Sequence, residues 1–478
     1  MAIGFPSSRP GGRQASRLPG PPSYTAPGNT VRFLRHALDF SLELHQRYGD
    51  VVSVPTLKGR LTLIFHPDGV RHVLQENHLN YDKQIPEYRI LSLILGNGLL
   101  TNDGKPWLHQ RRLMQPAFHR DRVATFATLM IDATVAWLDH LETSNSVDND
   151  TPFDILHEMS RLTLTIVCNA LFGSDLSDEE MQRVSRALGT SNHLLAEAYY
   201  LPWLLLLPTP QRHQLRAPRR ELYEVVDAII RRRRMSGSQR EDLLAMLLEA
   251  RDEETGEGMS DQQMRDEIMT LLIAGHETTA TTLAWTFYLL AQHPNVIANL
   301  YSEYQQALLG RLPQFNDLPQ FPLTRMVVEE TMRLYPPAWA LGRRALAGDE
   351  IGGYTIPGGA YILVFQYVTH RRPDLWEQPD AFDPERFAAE RAAGRARFVY
   401  FPFSGGPRQC IGNQFAMMEA QLILATILSR YQLRLVSPDV RVIPDPLVTL
   451  RPRGGIPMTM HRFSGESPDS NGQDIAHD

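Results

Sequence analysis

Apolar positions along this chain recur mostly at a spacing of three or four residues, as in helices that bury one face. Val31 to Tyr48 predicts helix on that basis. Two short runs follow, Val51 to Val54 and Leu61 to Phe65, which predict strands joined at Gly59. The long middle, Asp121 to Gln292, is a succession of helical patterns punctuated by clusters such as Leu207-Pro208-Thr209-Pro210. Arg325 to Leu334 and Ile411 to Ser429 predict two more helices. Strand signals return at Tyr361 to Phe365 and near Leu447 to Leu450. The pattern therefore predicts a mainly α protein with a small β region and no internal repeat.

Composition narrows this picture. The chain has 478 residues, 43% of them hydrophobic, enough for a large core. Length alone suggests about two to four domains, but no Ser/Gly-rich linker divides the middle. One domain is expected over 18–463, between disordered segments at 1–17 and 464–478. A net charge of −6 gives no general case for nucleic-acid binding. With only Cys168 and Cys410 a disulfide framework is excluded, which fits a reducing, cytoplasmic setting. Met1 to Gly20 has no apolar run long enough for a signal peptide or membrane anchor. Tyr199 to Leu207 is nearly all apolar but too short to span a bilayer.

Cys168 lies in the apolar stretch Leu162 to Phe172 and reads as core. Cys410 does not. It closes Phe403-Ser404-Gly405-Gly406-Pro407-Arg408-Gln409-Cys410-Ile411-Gly412. Gly405 and Gly406 allow a tight turn and Pro407 stiffens it, so sulfur and backbone can approach a flat ligand closely. Arg408 and the following helix N-terminus both favour a thiolate.

The pattern Phe-x-x-Gly-x-Arg-x-Cys-x-Gly resembles the haem-binding signature of the cytochrome P-450 superfamily of haem-thiolate monooxygenases. The resemblance spans Leu18 to about Met460 and implies the cytochrome P-450 fold, with haem b buried between helices. Cys410 would be the axial ligand of the haem iron, with Phe403 and Arg408 in the cofactor-binding loop. Four motifs occur in the family's order. Trp107 and Arg111, four apart on one helical face, are assigned to a haem propionate, together with Arg408 and Arg343. Arg344 is adjacent and competes with Arg343 for that place. Ala274-Gly275-His276-Glu277-Thr278-Thr279 resembles the oxygen-activating kink and is expected to interrupt the helix Met269 to Trp285. Thr278 would orient a hydrogen bond or water towards the oxygen being activated, and Glu277 would belong to the proton route. Glu330 and Arg333, with Arg386 in Pro384-Glu385-Arg386-Phe387, resemble the buried charge network that fixes the cysteine loop.

The implied reaction inserts one atom of O2 into a lipophilic substrate such as a fatty acid, terpenoid or carotenoid. Ala274, Ala338, Trp339, Leu341 and Val448 are the candidate cavity lining. No segment resembles a flavin or iron–sulfur module, so electrons are expected from a ferredoxin or flavodoxin with its reductase. Arg111, Arg112, Arg120, Arg122, Arg395 and Arg397 would form a basic surface near the cysteine for such acidic donors. The run Arg231 to Arg234 reads as a solvated helix end. Three alternatives stay open: a peroxide-driven peroxygenase, a non-catalytic haem sensor or carrier, and a haem-free apolar binding protein. The Glu277-Thr278 pair argues against the first, because a proton relay serves the O2 route.

Overall fold

The computed structural model describes residues 17–463 apart from 145, 201–207, 237–240 and 253. The two terminal segments and most of the apolar run Tyr199 to Leu207 lie outside the described residues. The architecture is mainly helical with four small sheets. Its centre is the helix Asp261–Ala291, begun by Ser260, whose side chain accepts the Gln263 N–H. This helix packs most extensively against Ile155–Phe172. Both belong to the main hydrophobic core, with Ala127–Thr143, Arg216–Ser236 and Asn413–Leu428.

The expected strands are present. Val51–Thr56 pairs antiparallel with Gly59–Ile64, which pairs parallel with Tyr361–Val364. Leu341–Ala345 and Tyr81–Asp82 complete this five-stranded sheet. The signal at Leu447 to Leu450 becomes the turn and first residue of a hairpin, Pro444–Pro446 with Leu450–Pro452. Val31 to Tyr48 belongs to two helices, Ala26–Arg35 and Ala37–Tyr48, divided at His36, whose φ of −141° is not helical.

Two expectations are corrected. The central helix is unbroken from Asp261 to Ala291. Thr278 Oγ1 donates to the Ala274 carbonyl at 2.8 Å and Thr279 Oγ1 to that of Gly275 at 3.2 Å. The hydroxyls return to carbonyls one turn back and leave the ladder intact. Gly275 serves packing instead, since a Cβ there would lie 3.0 Å from Val167 Cγ2. The second correction concerns Arg233, which is 3% exposed rather than solvated. Its guanidinium meets Asp242 in two bonds of 2.8 and 2.7 Å, Asp175 at 2.6 Å and the Phe172 carbonyl at 3.1 Å.

Candidate haem-thiolate site

Cys410 follows a single turn of 3-10 helix, Gly406–Arg408, and precedes the helix Asn413–Leu428. Gly406 has φ +68°, and a Cβ on it would lie 2.0 Å from the Leu74 carbonyl oxygen. Only glycine lets the loop rest on that backbone in that conformation. The Cys410 N–H closes the loop onto the Phe403 carbonyl at 3.0 Å. Phe403 itself packs on the main core. The Cys410 thiol is accessible although protein surrounds it densely. Burial pushes its pKa up, while the Gly412 N–H and the Arg111 guanidinium pull the other way.

A second accessible face lies in the central helix. Ala274 is exposed, and Leu271, Gly275 and Thr278 are half-buried, in a helix whose other residues from Asp266 to Leu290 are buried. Glu277 points elsewhere, to the Thr449 hydroxyl and the Arg451 guanidinium. His276 is buried with Nδ1 on the Leu272 carbonyl at 2.8 Å, and burial holds it below its usual range. Thr279 faces Glu419, on the helix that follows Cys410. That contact brings the central helix and the cysteine helix together.

Cations gather beside this region. Lys83 is buried, donates to the Leu100 carbonyl at 2.8 Å and lies 5.0 Å from the Tyr88 ring centre. Arg343 is 4% exposed and bonds its neighbour Gly342 O at 2.7 Å and Tyr88 Oη at 3.4 Å. The Arg408 guanidinium stacks 4.1 Å over the Trp107 ring and pairs with Asp103. Burial, then repulsion from Arg343 and Arg408, drives the Lys83 amine well below its ordinary range. Burial brings Arg408 down to about 10. Of the three cations only Arg408 has a carboxylate partner among the described residues. Like charges buried together are costly unless anions join them. Two carboxylates of a flat, largely apolar ligand answer that need.

Arg344 is engaged with Asp82, which leaves Arg343 as the arginine facing this cluster. Arg111, assigned to a propionate by the resemblance, bonds the cysteine loop directly. Its Nη1 donates to the Gln409 carbonyl at 2.9 Å, so it braces the cysteine loop. Lys83 was not foreseen from the sequence. Its signal was weak, one of three lysines, and its partners lie far away in the chain.

Glu330, Arg333 and Arg386 come together, with exposures of 0%, 0% and 5%. Arg333 Nε and Nη2 bond the Glu330 carboxylate at 2.6 and 2.8 Å, and Arg386 Nε reaches it at 3.3 Å. Arg333 also binds the carbonyls of His370, Pro379 and Ala381. His370 Nε2 in turn accepts the Phe401 N–H at 3.0 Å. The network thus reaches the segment leading to Cys410.

Of the candidate lining residues, Ala274 and Val448 are exposed, and Ala338 and Leu341 half-buried. Trp339 is drawn into the core instead. It is 5% exposed, lies 5.4 Å from the Phe365 ring and donates to the Leu447 carbonyl at 2.9 Å. The basic surface is thinner than expected. Arg112 pairs with Asp252 and Glu254, and Arg395 lies on the Trp376 and Phe387 rings. Arg120, Arg122 and Arg397 remain exposed. No helix among the described residues is long and apolar enough to cross a membrane.

An accessible thiol, a small-residue helix face and cations short of anions fit a haem. Cys410 would supply the thiolate, and Lys83, Arg343 and Arg408 would meet the propionates. The family model for Cytochrome P-450 matches residues 18–458. The chain is 36% identical over 430 residues to a cyclooctat-9-en-7-ol 5-monooxygenase of Streptomyces melanosporofaciens, covering 90% of this chain and 92% of the relative. It is 35% identical over 428 residues to a pentalenene oxygenase of Streptomyces avermitilis, covering 88% and 92%. A crystal structure of the cytochrome P-450DA haem domain superposes with a TM-score of 0.84 at 26% identity, covering 95% and 98%. The chain belongs to the cytochrome P-450 family and is a monooxygenase of that family.

Proposed function

We propose that this monooxygenase oxidises a cyclic terpenoid, with haem b ligated by Cys410 and electrons delivered by a ferredoxin or flavodoxin and its reductase. The observation that carries the substrate class is the likeness, over most of both chains, to relatives named for cyclooctatenol and pentalenene oxidation. The accessible residues Ala274, Ala338, Leu341 and Val448 are apolar and small or medium in size, which suits a bulky hydrocarbon without a charged head group. A thiolate-ligated haem supplies the activation of O2. The chain's own residues supply the rest. Glu277 would take protons inwards and the Thr278 hydroxyl would pass them on, while the enclosing core excludes bulk water. The exposed Arg120, Arg122 and Arg397 would meet an acidic electron donor.

The test is a titration of the purified ferric protein with pentalenene, cyclooctat-9-en-7-ol and lauric acid, read as a spin-state change in absorption. At least one terpenoid should shift the spectrum at micromolar concentration and yield an oxygenated product with NADPH, ferredoxin and reductase. A shift and product with lauric acid alone would overturn the terpenoid assignment.

A further inference from the structure

The Glu277 carboxylate is held by a hairpin and not by its own helix. Its Oε1 accepts from the Thr449 hydroxyl at 2.7 Å and from Arg451 Nε at 2.9 Å, with Arg451 Nη2 2.8 Å away in the same ion pair. Both hydrogen bonds and the ion-pair contact fall on one oxygen. The hairpin, Pro444–Pro446 with Leu450–Pro452, is pinned from two sides. Trp285 Nε1, on the central helix, donates to the Leu450 carbonyl at 2.8 Å. The Leu450 N–H donates to the Pro337 carbonyl at 3.0 Å, and Trp339 Nε1 to the Leu447 carbonyl at 2.9 Å. Val448 stands at the turn, 40% exposed. The Glu277 side chain is 9% exposed and that of Arg451 28%, so the pair leads from the interior towards the surface.

Resting on the relay reading above, we propose that Arg451, with Thr449, is a positioning residue for Glu277. It fixes Oε1 and leaves Oε2 as the oxygen that exchanges protons towards Thr278. The side chains of Glu277 and Thr278 are about 100° apart around the helix, so the acid serves the hydroxyl only from a defined rotamer. Two hydrogen bonds and an ion-pair contact on one oxygen define that rotamer. His276 is the other titratable group against Glu277. It is buried, with Nδ1 occupied by the Leu272 carbonyl. Arg451 is therefore the cation that sets the field at the carboxylate.

Arg451→Gln, Arg451→Lys, Thr449→Val and Glu277→Gln test this as haem-loaded proteins. Turnover uses the terpenoid that binds in the titration, or lauric acid should that bind instead. Haem content and the reduced CO spectrum report the fold. Product per NADPH, and its pH profile, report the relay. Arg451→Gln should keep haem and spectrum and lose coupling several-fold across the whole pH profile, because the carboxylate is no longer held in one rotamer. Arg451→Lys should restore most of the coupling. Thr449→Val should act in the same direction more weakly, and it decides the matter should Arg451→Gln fail to load haem. Adding Arg451→Gln to Glu277→Gln should cost nothing further. Unchanged coupling and profile in the Arg451 and Thr449 variants, beside an uncoupled Glu277→Gln, would overturn this assignment alone. Full coupling in Glu277→Gln would overturn the relay reading, and this assignment with it.

Discussion

Glu330→Ala tests the charge network most directly. The Glu330 carboxylate is fully buried and accepts four bonds: Arg333 Nε at 2.6 Å, Arg333 Nη2 at 2.8 Å, the Asp383 N–H at 3.0 Å and Arg386 Nε at 3.3 Å. Removing it strands two guanidinium groups in the core. Breaking a buried pair from one side costs about 3–5 kcal/mol. The orphaned Asp383 N–H adds roughly 1–3 kcal/mol. Domains are stable by only about 5–15 kcal/mol, so the loss removes a large share of the total. Arg333 keeps the carbonyls of His370, Pro379 and Ala381, which lowers the cost without matching a carboxylate. The damage should spread to the cysteine loop, because His370 holds the Phe401 N–H and Gln366 Nε2 holds the Phe401 carbonyl at 2.5 Å. Expression, haem per protein and hydrogen exchange are the assays. Glu330→Ala should yield little haem-loaded protein, with faster exchange over 401–412 than over 216–236. Glu330→Gln, which keeps shape and one acceptor, should fall between it and the parent. Normal haem loading and parental exchange in Glu330→Ala would refute the reasoning.

Cys410→Ser should abolish the thiolate-type absorption of the reduced CO complex and the monooxygenase activity, whereas Cys168→Ala, in the core, should keep the spectrum; a retained thiolate spectrum in Cys410→Ser would exclude this ligand. Thr278→Ala should fold and load haem, because it loses only a bond to its own helix, but product per NADPH should fall several-fold and hydrogen peroxide rise. Thr279→Ala should uncouple less, and the reverse order would put the relay on the other hydroxyl. Glu419→Gln should change the pH dependence of stability: burial lifts this carboxyl to about 8 from an ordinary 4.5, so the folded state holds a proton that the unfolded chain releases. The parent should therefore lose stability as pH rises between those values, by up to a few kcal/mol. The variant should lose less, which unfolding midpoints at pH 5 and pH 8 would show, and parallel losses in both proteins would refute it.

What the sequence discloses here depends on how far apart the cooperating residues lie. The cysteine loop was legible because its turn, rigid proline and thiol are contiguous, and each carries a local conformational demand. The five-stranded sheet was partly legible: Tyr361–Val364 is an apolar run, but Leu341-Gly342-Arg343-Arg344-Ala345 carries two arginines and reads as no strand. Those arginines are placed by partners 255 and 262 positions away, Tyr88 and Asp82, which periodicity cannot register. Arg233 was misread for the same reason, as its acids stand on other segments. The unbroken central helix shows a different limit. Gly and Thr propensities predict weakness, but packing against Val167 and the hydroxyl bonds to carbonyls one turn back outweigh a cost of about 1 kcal/mol for the glycine.

The same distance argument explains why the acid was visible and its support was not. Glu277 and Thr278 are neighbours, so a pattern can hold them both. Thr449 and Arg451 reach Glu277 across 172 and 174 positions. Nothing in the segment Thr449-Leu450-Arg451 marks it locally, since an arginine beside a strand reads as a solvated charge. It becomes informative only when the guanidinium is seen to pair with the carboxylate oxygen that the Thr449 hydroxyl also occupies. A carboxylate gripped on one oxygen by a hydroxyl and a guanidinium has its other oxygen oriented for it. The hairpin that does the gripping also carries Val448, exposed at its turn and proposed above to meet the substrate. A substitution at this turn that enlarges the side chain should therefore change coupling as well as substrate choice. A purely steric lining residue would change only the second.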